Sequence, residues 1–90
     1  MDEATYSWDE PKSDRCFKER GFDFAFAALI WEGPVSYQVD DRHDYGEVRI
    51  RALGWIDNDP YVVVFTMRGT TRHIMSARRA HMKEVRKWQS

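Results

Sequence analysis

Seven consecutive residues, YVVVFTM (Tyr61–Met67), are apolar on both faces of an extended chain. Successive strand side chains point to opposite faces, so a run without alternation reads as a central strand. That strand organises its surroundings. Before it, EVRIRALGWI (Glu47–Ile56) alternates, with Val48, Ile50 and Ala52 on one face and Glu47, Arg49 and Arg51 on the other. The intervening DNDP (Asp57–Pro60) is a hairpin signal. VSYQV (Val35–Val39) also alternates and is followed by a polar loop, DDRHDYG (Asp40–Gly46). RGTT (Arg68–Thr71) turns the chain into a last strand, RHIMS (Arg72–Ser76). The expectation is an antiparallel meander of about four strands.

Helices flank this meander. TYSW (Thr5–Trp8) reads as a short edge strand. Asp9 is then a candidate N-cap, with Pro11 in the first turn of a helix that runs to Arg20 and stops at Gly21. Asp23 caps a second, largely buried helix over FAFAALIW (Phe24–Trp31), ended by Glu32–Pro34. From about Ala77 the chain reads as a final helix with an inner stripe of Ala77, Ala80 or His81, Met82, Val85 and Trp88. Helices before and after hairpin-linked strands indicate an α+β fold, one helical layer against one sheet. Ninety residues suit one domain, taken as 1–90.

Composition excludes several classes. A single cysteine, Cys16, allows no internal disulfide and no cysteine-rich zinc site. The acidic start MDEATYSWDE has no apolar run, so neither a signal peptide nor a membrane span is expected, and the location expected is cytoplasmic. The net charge of −1 conceals a divided chain. Residues 1–47 carry 12 acidic and 5 basic side chains, a balance of −7; residues 48–90 carry 9 basic and 3 acidic, a balance of +6. Such asymmetry points to nucleic-acid contact by the basic half, or to neutralisation of one half by the other.

The basic residues fall into groups. Arg78 and Arg79 sit at the expected strand-to-helix junction, and Arg79, Lys83 and Arg86 share a helix face at i, i+4 and i+7. Arg49 and Arg51 project from one strand face, and Arg68 and Arg72 flank the next hairpin. Guanidinium forks suit phosphate. The competing reading is a solvated face with salt bridges to the acidic half. Cutting RNA without a metal requires a base for the 2′-OH, an acid for the leaving oxygen and cations for the phosphorane. Glu47, on the face of Arg49, can serve as base, as positioner or as a plain ion-pair partner. His43, His73 and His81 match no metal spacing and read as structural or surface side chains. Trp8, Trp31, Trp55 and Trp88 read as core or interface, with Trp88 near the basic face.

WDEPK (Trp8–Lys12), the helix closed at Gly21 and then Phe24 resemble the opening of the BrnT family, W-D-x-x-K followed by a short helix ending H-G-x-x-F. DYGEVRIRALG (Asp44–Gly54) resembles its G-E-x-R strand closed by glycine. MRGTTRHIMSARRA (Met67–Ala80) resembles its R-G…R-x-I-x-S-A-R-R-A segment, the most specific of the three. The chain departs from the pattern at Cys16, Glu19 and Arg20, where asparagine, lysine and histidine are usual, and at Trp88, where tyrosine is common.

The resemblance implies a RelE-like fold and a type II toxin that cleaves RNA without metal or other cofactor and arrests translation. It also implies a BrnA-type antitoxin partner, contact with operator DNA only through that antitoxin, and room for a homodimer within the complex. By motif position it singles out Lys12, Glu47, Arg49, Arg68, Arg72, Arg78 and Arg79. Arg78 and Arg79 are expected on the scissile phosphate, with Arg49 and Arg68 as further catalytic cations. Lys12, Arg51, Arg72, Lys83 and Arg86 are expected to bind RNA. The alternative is a catalytically silent module whose basic face docks the antitoxin and acts as co-repressor.

Overall fold

A computed structural model describes residues 5–40 and 46–89 of the chain. Its elements are β1 (Thr5–Trp8), α1 (Glu10–Arg20), α2 (Phe24–Ala27) with a 3-10 segment (Ala28–Glu32), β2 (Ser36–Asp40), β3 (Arg49–Ile56), β4 (Asp59–Arg68), β5 (Thr71–Arg79) and α3 (Met82–Gln89). Among the described residues no helix is long and apolar enough to cross a membrane.

The doubly apolar segment is central, as its pattern requires. The sheet order is β1-β5-β4-β3-β2, so β4 has a strand on each side. The meander β2 to β5 is antiparallel, and β1 joins it as a fifth strand, parallel to β5. The sheet is therefore mixed and one strand wider than the expected four. β1 can pair in parallel because the whole chain from α1 to β4 forms the return connection, far longer than the minimum for such a crossover.

Local chemistry explains most boundaries. Gly21 closes α1 in the left-handed region at φ 87°, its N–H donating to the Phe17 carbonyl at 2.9 Å. The Asp23 side chain caps α2 by accepting from the Phe26 N–H at 2.9 Å. The β3–β4 turn is carried by Asp57 and Asn58 at φ 50° and 70°, the paired left-handed geometry that matches the sheet twist. The expected helix Phe24–Trp31 tightens after Ala27 into 3-10 winding. This narrower coil carries Ile30, wholly buried, onto the backbone of Gly54 in β3.

The last segment differs most from expectation. The chain from Ala77 to Arg79 is strand, and helix begins only at Met82. Ser-Ala-Arg-Arg has adequate helix propensity, but Tyr61, Val62 and Val63 of β4 offer ladder partners to Arg79, Arg78 and Ala77. Tertiary pairing overrides a weak local preference. Arg79 is thus not on a helix with Lys83 and Arg86. Of the expected inner stripe, Val85 is buried and Trp88 half-buried, Ala77 packs from β5, and Met82 is exposed.

The sheet is covered on both faces, not one. On the first face lie α1, α2 and the 3-10 segment over Ala52, Ile56, Tyr61, Val63, Phe65, Ile74 and Ala77. On the second, Val85 and Trp88 of α3 cover Leu53 and Val62. A bulge reconciles the two. Val64 opposes Ser76 while Phe65 opposes Ile74, which leaves Met75 as an extra residue in β5. Ile74 and Ala77, three apart, thereby both face the larger core.

Candidate functional site

Helix α3 covers only the lower part of the second face. Above it the sheet presents a polar shelf, whose rows can be read from the register. Asp40 opposes Arg49, Thr66 opposes His73, and His73 lies beside Ser7. Arg49 is one step beyond the Ile50–Phe65 pair and so stands against Thr66. The row across all five strands is Asp40, Arg49, Thr66, His73, Ser7. At strand spacing, Arg49 and His73 are ~10 Å apart at the backbone, two ladder steps. On one side of this row stand Glu47 and Arg68, and on the other Gln38, Arg51, Val64 and Ser76.

Hydrogen bonds order the shelf. The Arg68 fork donates to Glu47 through Nε at 3.2 Å and NH2 at 3.4 Å. Arg51 NH2 donates to the Gln38 side-chain oxygen at 2.9 Å, and its guanidinium lies 5.7 Å from the Trp88 ring centre. Thr66 Oγ1 donates to the Val48 carbonyl at 2.7 Å, tying the start of β3 to β4. Ser7 Oγ and His73 Nδ1 are 2.8 Å apart. Lower down, the Arg78 fork donates to both carboxylate oxygens of Glu84 at 2.9 and 2.6 Å and fastens α3 to β5.

Charge states follow from these contacts. Burial, reinforced by the Arg68 and Lys12 cations, lowers the His73 pKa from its ordinary 6.5, so the ring is neutral at neutral pH. The hydrogen bond from Arg68 lowers the Glu47 pKa, and that from Arg78 lowers the Glu84 pKa, so both stay ionised. Burial raises the Cys16 pKa, which makes it an unreactive core thiol.

The sequence-selected residues divide between the two faces. Glu47, Arg49, Arg51, Arg68 and Arg78 share the shelf face. Arg72 and Arg79 project from the other. Arg72 donates to the Tyr6 hydroxyl at 3.2 Å and stacks 4.8 Å from the Trp31 ring centre. Arg79 pairs with Asp59 at 2.8 Å and lies 5.9 Å from the Tyr61 ring centre. Lys12 lines a shallow hollow on α1 beside Met75 and Ser76, near enough to act on His73 through its field. Lys83 and Arg86 are exposed on α3. Glu47 precedes β3 instead of opening it. His43 lies outside the described residues.

His73 is the shelf residue that pattern reading passed over. Its signal was faint: it lies five residues from Arg68 across a turn, and only the ladder shows that they share a face. Among the described residues, no group of three His, Cys, Asp or Glu side chains is placed to hold a metal ion.

The arrangement combines cations, a neutral imidazole and hydroxyls on one sheet face, with Asp40 and Thr66 buried and Arg49, Arg51, His73 and Ser7 half-buried. It can bind an anionic ester and move a proton beside it. A family model described as a ribonuclease toxin, BrnT, of type II toxin–antitoxin systems matches residues 8–84. No curated protein matches the chain.

Proposed function

The chain belongs to the BrnT family of type II ribonuclease toxins, and from that premise we propose that the polar shelf binds and cuts RNA. The reading rests chiefly on one observation, the row that sets His73 and Arg49 on one face between Arg68 and Arg51. With His73 Nδ1–H donating to Ser7 Oγ, Nε2 keeps its lone pair and takes the proton of a ribose 2′-OH. The 2′ oxygen bonds to the adjacent phosphorus, and the bond to the 5′ oxygen breaks. The leaving oxygen takes a proton from solvent. Arg49, with Arg51 and Arg68, stabilises the phosphorane charge. Glu47 holds the Arg68 fork in place, and Lys12 adds positive field. Arg78 acts through α3, while Arg72 and Arg79 serve the opposite face.

The proposal includes metal independence, translation arrest through RNA cleavage, a BrnA-type antitoxin that alone contacts operator DNA, a homodimer within that complex and a RelE-like fold class. One observation favours the rival, a silent antitoxin-docking co-repressor: Arg68 and Arg78 are already forked to carboxylates. Purified protein and single-stranded RNA in excess chelator separate the two. Cleavage to 2′,3′-cyclic phosphate and 5′-hydroxyl ends is expected. Activity abolished by the chelator, or ends carrying a 5′-phosphate, contradicts the mechanism; no cleavage with tight antitoxin binding establishes the rival.

A pH profile tests the base. Cleavage should hold down to pH 6.5 and decline only below it, because the His73 pKa is lowered. Stability should move the same way. The unfolded chain binds this proton more readily, so the contribution of the neutral ring is present above pH 6.5 and lost as pH falls through the lowered folded value. His73→Gln should remove the part of the acid limb that begins near pH 6.5 and leave the lower part, set by Glu47 and Glu84, measured by thermal midpoint against pH.

A further inference from the structure

Between α3 and the lower shelf runs an open groove of about 740 Å³, bounded by Gln38, Arg51, Arg78, Glu84, Lys87 and Trp88 among others. It continues the shelf, because Arg51 and Gln38 line both. We infer that this groove is a subsite for one unpaired nucleobase of the RNA, adjoining the scissile phosphate, with the Trp88 indole and the Arg51 guanidinium as its stacking surface. The inference rests on the ribonuclease reading and adds to it a determinant of substrate binding.

Three features carry it. First, Trp88 is half-buried: it packs on the Leu53, Val62 and Val85 cluster and still lines the groove. The Arg51 guanidinium lies over this ring, 5.7 Å from its centre, so ring and guanidinium form one layered surface. Unpaired bases stack on aromatic rings and on guanidinium planes whatever their sequence. Second, Arg51 is held in place by Gln38 and Trp88, 2.9 Å from the first and 5.7 Å from the ring centre of the second. Its Nε is buried without a hydrogen-bond partner among the described residues, and the side chain still lines the groove. Third, the charges are graded. Glu84 is occupied by the Arg78 fork, and Lys83 adds positive charge at the rim. A strand whose phosphate lies against Arg49 and Arg51 can turn its next base into this groove, since one nucleotide step spans about the distance of one or two ladder steps.

The test separates binding from cleavage with 2′-O-methyl octanucleotides of A, C, G and U, which lack the attacking hydroxyl. Affinity is measured by fluorescence anisotropy over a salt series. Trp88→Leu keeps an apolar side chain in the lower core and removes the platform. It should lose roughly tenfold in affinity, with the dependence on salt unchanged, because no phosphate contact is lost. Arg51→Lys keeps the charge and removes the planar fork, and should behave likewise. Circular dichroism and thermal midpoint confirm that both variants fold.

A parent that cuts unmodified RNA while both variants bind within twofold of it overturns the base subsite alone. A loss accompanied by a shallower salt slope makes the groove a phosphate contact and also overturns it. Competition by poly-glutamate that both variants abolish, with RNA binding unmoved, assigns the groove to an acidic protein partner. A parent that neither cuts unmodified RNA nor binds the probes removes the ribonuclease reading and this one together.

Discussion

Replacing His73 with glutamine should slow RNA cleavage by roughly 10²- to 10⁴-fold, the usual contribution of a positioned general base. Glutamine keeps a polar group near Ser7 but cannot take up a proton at neutral pH. RNA affinity should change little, because the neutral ring contributes no charge to phosphate binding. Arg49→Ala should lower both affinity and rate, and Arg79→Ala should lower neither by much. Arg79 is engaged with Asp59 and Tyr61 on the other face of the sheet. The three variants together map the reaction to one face. If Arg79→Ala inactivates the protein while His73→Gln does not, the chemistry lies on the helical side and the shelf proposal is wrong.

Gly54→Ala carries the largest expected effect on stability. A Cβ at this buried position would stand 2.6 Å from Cβ, 3.2 Å from Cγ2 and 3.4 Å from Cα of Ile30. Two of those atoms are fixed by the Ile30 backbone, so no rotamer change relieves the clash. Either β3 or the 3-10 segment must move, and both belong to the larger core. Overpacking of this kind costs about 1–3 kcal/mol, occasionally more. For a domain of this size the thermal midpoint falls about 4–8 °C per kcal/mol, so a drop on the order of 10–20 °C is expected. Cleavage measured well below the new midpoint should persist, because the clash lies on the face opposite the shelf. A midpoint within about 2 °C of the parent would mean that Ile30 has room the structure does not show.

These two substitutions act on opposite faces of the same sheet, and the separation explains how the molecule is built. One face is spent on the core, where aromatic rings close over the strands: Trp31 meets Phe65 edge-on at 5.2 Å, and Phe22 meets Tyr61 at 5.2 Å. The other keeps its buried apolar side chains, Leu53 and Val62, under α3, with Val64 half-buried beyond them. Among the described residues no helix stands over the polar upper part, where Arg68 is exposed and Arg49, Arg51, His73 and Ser7 are half-buried.

Much of this was legible from the residues. Alternation in Glu47–Ile56, the turn at Asp57–Asn58 and the unbroken apolar run Tyr61–Met67 determine the meander, because period-two burial and left-handed turn residues are local properties. Gly21 and Asp23 likewise mark helix ends through their own chemistry. The family segments determine which arginines to watch. The run Tyr61–Met67 marked a central strand, but the single helical layer expected from the sequence became cover on both faces, with Val62 and Val63 both buried.

Other features were decided only in three dimensions. The segment from Ala77 to Arg79 is strand because β4 offers it a ladder, and no property of Ser-Ala-Arg-Arg itself says so. β1 reaches β5 across more than sixty residues of sequence, a pairing that no local pattern encodes. The composition of the site depends on the bulge at Met75. His73 and Arg78 are five residues apart, an odd spacing that plain alternation assigns to opposite faces. One extra residue in β5 shifts the parity, places both on the shelf face and leaves Arg72 and Arg79 on the other. The residue types that could handle RNA were thus set by the sequence, and their division between the two faces by a single unpaired residue in one strand.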